Sequence, residues 1–153
     1  MGDLTFQQFN EEYSRLYKEE DSLYHRLAKH FGLSDSAFWI IYTLEAFRTP
    51  VTQAELCGNL SLSKQTINSS LKQLEQEGHI RLSSGPGRRK YLALTPQGQA
   101  LAGRTVRRVL ELEERAFHRM SPEEQANILA LMRRHLKLVL QEAEQIFHTS
   151  QEE

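Results

Sequence analysis

The 153-residue chain has a single cysteine, Cys57, so it lacks any intramolecular disulfide framework, and a lone thiol suits a reducing compartment. No apolar run approaches the roughly 18 residues of a membrane span. The N-terminus has no secretory-leader pattern, so a cytoplasmic protein is expected. Catalytic signatures are missing too: there is no G-x-S-x-G, no H-E-x-x-H, no phosphate-cradling glycine loop and no C-x-x-C. The histidines at positions 25, 30, 79, 118, 135 and 148 are never three or four residues apart, the spacing that brings two imidazoles to one metal from one helix. These absences argue against an enzyme and leave no catalytic residue, cofactor or metal ligand to assign. There is no internal repeat or low-complexity tract, only a polar end at 149–153.

What is present is concentrated between residues 52 and 95. Thr52 and Glu55 have the spacing of a capping box, with Val51 and Leu56 placed as its hydrophobic staple. That helix should end near Gly58 and Asn59, residues that tolerate a left-handed exit. Ser63 is a good N-cap for a second helix, which Gly78 should stop. Ile67, Leu71 and Leu74 make its inward stripe. The amide, hydroxyl and ammonium side chains of Lys64, Gln65, Thr66, Asn68, Ser69 and Lys72 point elsewhere, and these groups suit base edges and phosphates. Taken alone, this helix is equally well a solvated surface helix.

Residues 79–83 and 90–94 alternate apolar and polar, with Ile80, Leu82, Leu92 and Leu94 on one face, and read as a hairpin. Ser84, Gly85, Pro86 and Gly87 form a flexible turn, followed by Arg88, Arg89 and Lys90. A basic hairpin directly after a helix-turn-helix is more economically a wing than a solubilising surface. Residues 63–95 carry six cationic side chains against Glu75 and Glu77, a local charge of +4 in a chain of net charge −1. A basic patch on an acidic body suits a protein that meets phosphate with one face.

This succession of helix, turn, helix and hairpin resembles the MarR family of winged-helix transcription regulators. The exit run from Leu92 through Ala93, Leu94, Thr95, Pro96 and Gln97 to Gly98 is similar to the family's L-x-L-T-x-x-G signature. The resemblance implies a recognition helix opening at Ser63 and a wing-tip arginine at Arg88 that enters the minor groove. One departure is plain: the family's aspartate two residues before that arginine is replaced by Pro86. The implied DNA contacts are Ser63, Lys64, Gln65, Thr66, Asn68, Ser69, Lys72, Arg88, Arg89 and Lys90.

The remainder reads as helix. Apolar residues from Phe6 to Phe31 recur at three- and four-residue spacing; Ser34 caps a helix running to Phe47; Thr95 and Pro96 open one to about Met120. Ser121, Pro122 and Glu124 open the last, through Ile128, Leu131, Leu136, Val139 and Phe147. The expected fold is mainly α with a small β-hairpin wing (α+β) in a single domain over 1–153. Residues 34–95 form the winged helix-turn-helix and 1–31 with 96–148 the dimerisation helices. A compact winged helix cannot cover all these apolar faces, so a two-fold partner is expected, with double-stranded DNA bearing an inverted-repeat operator. The resemblance also implies a small aromatic or phenolic effector, for which Tyr13, Tyr17, Tyr24, Trp39 and Tyr42, beside Phe38, are the candidate lining with Arg15 or His25 nearby. A ligand-responsive repressor is the leading expectation. Two other classes stay open: a winged helix used for protein contact, as in an anti-repressor, and a redox switch at Cys57, which has no cation beside it in sequence.

Overall fold

A computed structural model describes residues 3–47 and 50–149. Packing divides the chain into two compact units, Met1–Leu110 and Glu111–Glu153. The first contains α1 (Phe6–His30), α2 (Asp35–Phe47), β1 (Val51–Thr52), α3 (Gln53–Asn59), α4 (Lys64–Gln76), β2 (Ile80–Ser84), β3 (Lys90–Leu94), α5 (Pro96–Arg104) and the start of α6 (Val106–His118). The second holds the rest of α6 and α7 (Pro122–Thr149). No helix among the described residues is long and apolar enough to cross a membrane.

Side-chain caps set the helix starts. Thr52 accepts from the Glu55 amide at 3.1 Å while the Glu55 carboxylate accepts from the Thr52 amide at 2.7 Å. Thr5 with Gln8 and Ser121 with Glu124 form the same reciprocal pair. Ser63 accepts from the Thr66 amide and Ser34 from the Ala37 amide. Each such cap contributes about 1 kcal/mol. α2 runs through the centre of the first unit and buries Phe38, Ile40, Ile41, Thr43 and Leu44. Against it lie Leu56, the Ile67–Leu71–Leu74 stripe of α4, Ile80, Leu92 and, from α5 and α6, Leu101, Val106 and Val109. Each large side chain buried here contributes about 1.5–3 kcal/mol.

The sheet has the order β1-β3-β2, all antiparallel. Ile80 pairs with Leu94 and Leu82 with Leu92, so the four expected apolar residues share one face. The short β1, with Val51 opposite Leu92, was not legible from a two-residue run. α4 ends as Gly78 requires: its φ is +78°, and the amides of Gly78 and His79 return to the carbonyls of Glu75 and Leu74. α3 ends differently from expectation, since Leu60 leaves it in an extended conformation and neither Gly58 nor Asn59 is left-handed.

The helix expected from 95 to about 120 is broken at Thr105, where φ is −127° and ψ is −96°. The Thr105 hydroxyl donates to the Leu101 carbonyl at 2.7 Å and the side chain is buried. A β-branched residue that bonds back to the preceding turn opposes continuation of the helix. The buried faces of Leu101 and Val106 are thereby each directed inward. In the second unit, none of residues 122–148 of α7 is buried, and Ile128, Leu131, Leu136, Val139 and Phe147 are all exposed.

Gly98 packs tightly: a β-carbon there meets the His79 carbonyl oxygen at 1.8 Å. Gly98→Ala is therefore expected to lower unfolding free energy by about 1–3 kcal/mol. Gly58→Ala, in open space within α3, is expected to be stabilising by about 0.5–1 kcal/mol. Urea denaturation of the two variants beside the parent checks both signs.

Candidate nucleic-acid interface

α4 keeps Ile67, Leu71 and Leu74 inward and leaves Lys64, Gln65, Asn68, Ser69 and Lys72 exposed on the other side. The ten expected contacts do not all stand free. The Ser63 and Thr66 hydroxyls lie 2.8 Å apart and Ser63 also caps the helix, so both are engaged at its N-terminus. Asn68 accepts from the Gln53 side-chain amide at 2.7 Å, which ties the outer face of α4 to α3. On the opposite side the Ser36 and Ser70 hydroxyls pair, fastening α4 to the start of α2. Lys64, Gln65, Ser69 and Lys72 remain as the projecting polar set.

The wing is more ordered than a flexible Gly-Pro-Gly turn implies. Residues 86–88 form a tight turn, and the Gly85 amide donates to the Arg89 carbonyl at 2.8 Å across its base. Gly85 permits a close approach, because a β-carbon there meets the Tyr91 ring at 2.0 Å. Gly87 and Arg88 are both left-handed, with φ of 71° and 63°, and Arg88 is the one non-glycine residue with positive φ among those described. An L-residue in this region costs about 1–2 kcal/mol. With Pro86 in place of an aspartate, the backbone itself presents Arg88 at the tip.

Arg89 has a second neighbour. The Glu55 carboxyl is held below the usual carboxylate range, first by the Thr52 amide, then by the Thr52 hydroxyl, with the Arg89 guanidinium adding to the shift. Arg88, Arg89 and Lys90 are all exposed, and none of them forms an ion pair among the described residues. The exit signature has a physical basis as well. The Thr95 hydroxyl donates to the Gly78 carbonyl and accepts from the Gly98 amide, and the Thr95 amide donates to His79. Gln97 adds a bond to the Glu77 carbonyl. These contacts lock the end of α4 to the end of the wing.

The aromatic candidates separate. Tyr24 packs on Trp39 with ring centres 4.9 Å apart, and Trp39 on Tyr42 at 5.3 Å, both around buried Phe38. Tyr17, Tyr24 and Trp39 line a groove of about 280 Å³ together with Glu20 and Asp21. Tyr13 is not part of it; it stacks on Phe9. Neither expected cation serves this groove, since Arg15 is paired with Glu12 and Glu19 and His25 lies 2.9 Å from Asp35. Cys57 is half-buried, in a depression shared with Lys64 that the local sequence did not reveal.

Residues 31–90 match the family model described as MarR family. The matched stretch takes in α2, α3, α4 and β2 and stops at the first residue of β3. Among curated proteins, an uncharacterised HTH-type transcriptional regulator of Bacillus cereus is 27% identical over 115 residues, covering 75% of this chain and 77% of the relative. The HTH-type transcriptional regulator PecS of Dickeya dadantii is 31% identical over 108 residues, covering 68% and 65%. A MarR family regulator from Neisseria meningitidis superposes with a TM-score of 0.73 at 21% identity, covering 90% of this chain and 97% of that one. The S. aureus MepR-DNA complex gives 0.60 at 20% identity (90% and 99%), and S. aureus MarR in complex with salicylate and kanamycin 0.64 at 21% (89% and 93%). Over residues 31–90 the chain is thus similar to MarR-family transcription regulators, and its fold is that of the solved MarR-family structures.

The strained tip supplies a test that separates stability from function. Arg88→Gly is expected to stabilise the fold by about 1 kcal/mol through relief of the left-handed strain. The same change is expected to weaken DNA binding by about 1–3 kcal/mol. Thermal melting and fluorescence anisotropy on one preparation read both, and opposite signs are the expected result.

Proposed function

We propose that the chain acts as a homodimeric repressor that binds an inverted-repeat operator and is released by a small aromatic or phenolic ligand. The observation that carries this reading is the pairing of the projecting α4 set with a preformed arginine tip on a locally basic segment of an acidic chain. In this reading residues 34–95 contact DNA, α4 entering the major groove and Arg88 the minor groove. Gln65 reads base edges, Lys64, Ser69, Lys72 and Lys90 contact phosphate or sugar, and Ser63, Thr66 and Asn68 set the helix in place beside them. Arg89 contributes charge shared with Glu55.

The helices of residues 1–31 and 96–148 form the dimer and complete one functional domain over 1–153. Support comes from the exposed apolar residues of α7, Ile128, Leu131, Leu136 and Val139 among them, and from exposed Phe6, Leu16 and Leu23 on α1. Two recognition helices about 34 Å apart then meet successive major grooves, which makes the operator two-fold symmetric. The ligand groove is that of Tyr17, Tyr24 and Trp39, backed by Tyr42. Its carboxylates, Glu20 and Asp21, accept a phenolic hydroxyl and repel a carboxylate, so a phenol fits it better than an aromatic acid. A DNA-binding regulator of this kind works in the cytoplasm.

Light scattering at micromolar concentration is expected to give twice the chain mass, 17.7 kDa per protomer; a monodisperse folded monomer defeats the dimer assignment. In anisotropy titrations, Lys72→Ala is expected to weaken every duplex similarly and reduce the salt slope by about one. Gln65→Ala is expected to change base preference instead. Equal affinity of the parent protein for operator and random duplex overturns the sequence-specific reading.

A further inference from the structure

Gln53 and Asn68 belong to different helices and are joined by one bond: the Gln53 side chain donates from Nε2 to Asn68 Oδ1 at 2.7 Å. Both ends of that bond are anchored. Gln53 is the first residue of α3, directly after the Thr52 cap. Asn68 follows buried Ile67 on α4, a helix that the Ser36–Ser70 hydroxyl pair fastens to α2. Gln53 is half-buried and Asn68 is exposed, so the pair presents its asparagine end outward. Neither side chain makes a further hydrogen bond among the described residues.

The polarity of this bond decides what Asn68 has left to offer. An asparagine amide carries a carbonyl acceptor and an NH2 donor on the two arms of a planar fork. Reading adenine takes both arms, the carbonyl accepting from N6 and the amide donating to N7. Guanine presents two acceptors, N7 and O6, and takes donors alone. With its carbonyl directed to Gln53 on α3, Asn68 has the other arm, the donor, directed away from it. The surroundings share that polarity. Asn68 and Lys64, four residues apart on one helix face, border a depression of about 530 Å³ whose lining among the described residues includes no carboxylate.

We infer that Gln53 is a positioning residue for base recognition: by holding the Asn68 carbonyl it fixes that amide as a donor, so the operator base facing Asn68 is guanine and adenine is disfavoured. The inference rests on the reading of α4 as the helix in the major groove. It adds a specificity determinant on α3, a helix to which no DNA contact is otherwise assigned. Asn68 then both sets α4 against α3 and meets one base. Without Gln53 the amide is free to turn over and serve adenine with both arms, so the choice between the purines lies in a residue that need not touch either.

Selection of duplexes from a randomised library by the full-length protein, followed by anisotropy titration of the selected sequence and its single-base variants, tests this. Asn68→Ala locates the position that Asn68 faces, as the one where base preference is lost. The parent is expected to favour guanine there over adenine by about tenfold. Gln53→Glu replaces the donor with acceptors alone, so Asn68 turns its amide inward and its carbonyl outward. That variant is expected to favour a base with an amino donor, adenine or cytosine, at this one position. Gln53→Ala releases the amide and is expected to bring guanine and adenine close to parity there. A purely structural role for Gln53 weakens every duplex alike and leaves the preferred base unchanged. That result in both Gln53 variants, adenine favoured by the parent, or Asn68→Ala without a position-specific effect overturns the inference. Each of these leaves the regulator reading standing as long as the parent binds its selected duplexes specifically. Absence of specific binding by the parent defeats that reading and this inference with it.

Discussion

The set of α4 against the wing depends on one junction, where the chain leaves α4 and later leaves the wing. Thr95 joins both: its hydroxyl bonds the Gly78 carbonyl and the Gly98 amide, and its own amide bonds His79. Gly98 has to be glycine because the His79 carbonyl occupies the place of a β-carbon. Without this clasp the angle between α4 and the hairpin has little to fix it, since the sheet itself is only three short strands. An L-x-L-T-x-x-G run is thus a mechanical part, with two leucines directed to the core, a threonine capping α5 and a glycine that lets two backbones touch.

From that junction outward, stability gives way to presentation. The core is dense around α2, where Phe38, Ile40 and Ile41 are fully buried, and it supports surfaces that gain little from being where they are. Arg88 is the clearest case, held in a left-handed conformation at the tip of a turn that Gly85, Gly87 and Tyr91 make possible. Strain of this kind persists only where the surrounding structure imposes it, and it is concentrated at functional sites. Charge follows the same logic: Glu55 draws on Arg89, while Arg88 and Lys90 are left outward. Along α7 the apolar residues Ile128, Leu131, Leu136 and Val139 are exposed as well.

Much of this was legible residue by residue. The Thr52–Glu55 box, the Ser63 cap, the Ile67–Leu71–Leu74 stripe and the Gly78 stop are signals spanning four to eleven residues, and each is found as read. The errors also share a cause. The break at Thr105, where φ is −127° and ψ is −96°, leaves no mark in the sequence, because helical periodicity continues across it. Tyr13 lies at helical spacing from Tyr17 and Tyr24, yet it stacks on Phe9 and is not among the residues lining the groove. Asn68 has the chemistry of a base-reading amide, but Gln53, fifteen residues earlier, already holds it.

The sequence by itself determined where helices begin, which stripe of α4 faces inward, that a basic hairpin follows it, and which family that order resembles. These depend on caps, turn residues and period, interactions between residues close in the chain. Tertiary structure alone decided which polar groups are free to act. Pairing of Arg107 with Glu45 and of Asn68 with Gln53 removes some candidates and leaves Arg81, Gln65 and Lys72 projecting. The strand register that sets Ala93 opposite Arg81 was decided in the same way. Neither the pairings across elements nor that register is written in local spacing, because each follows from how distant segments pack once the core has closed.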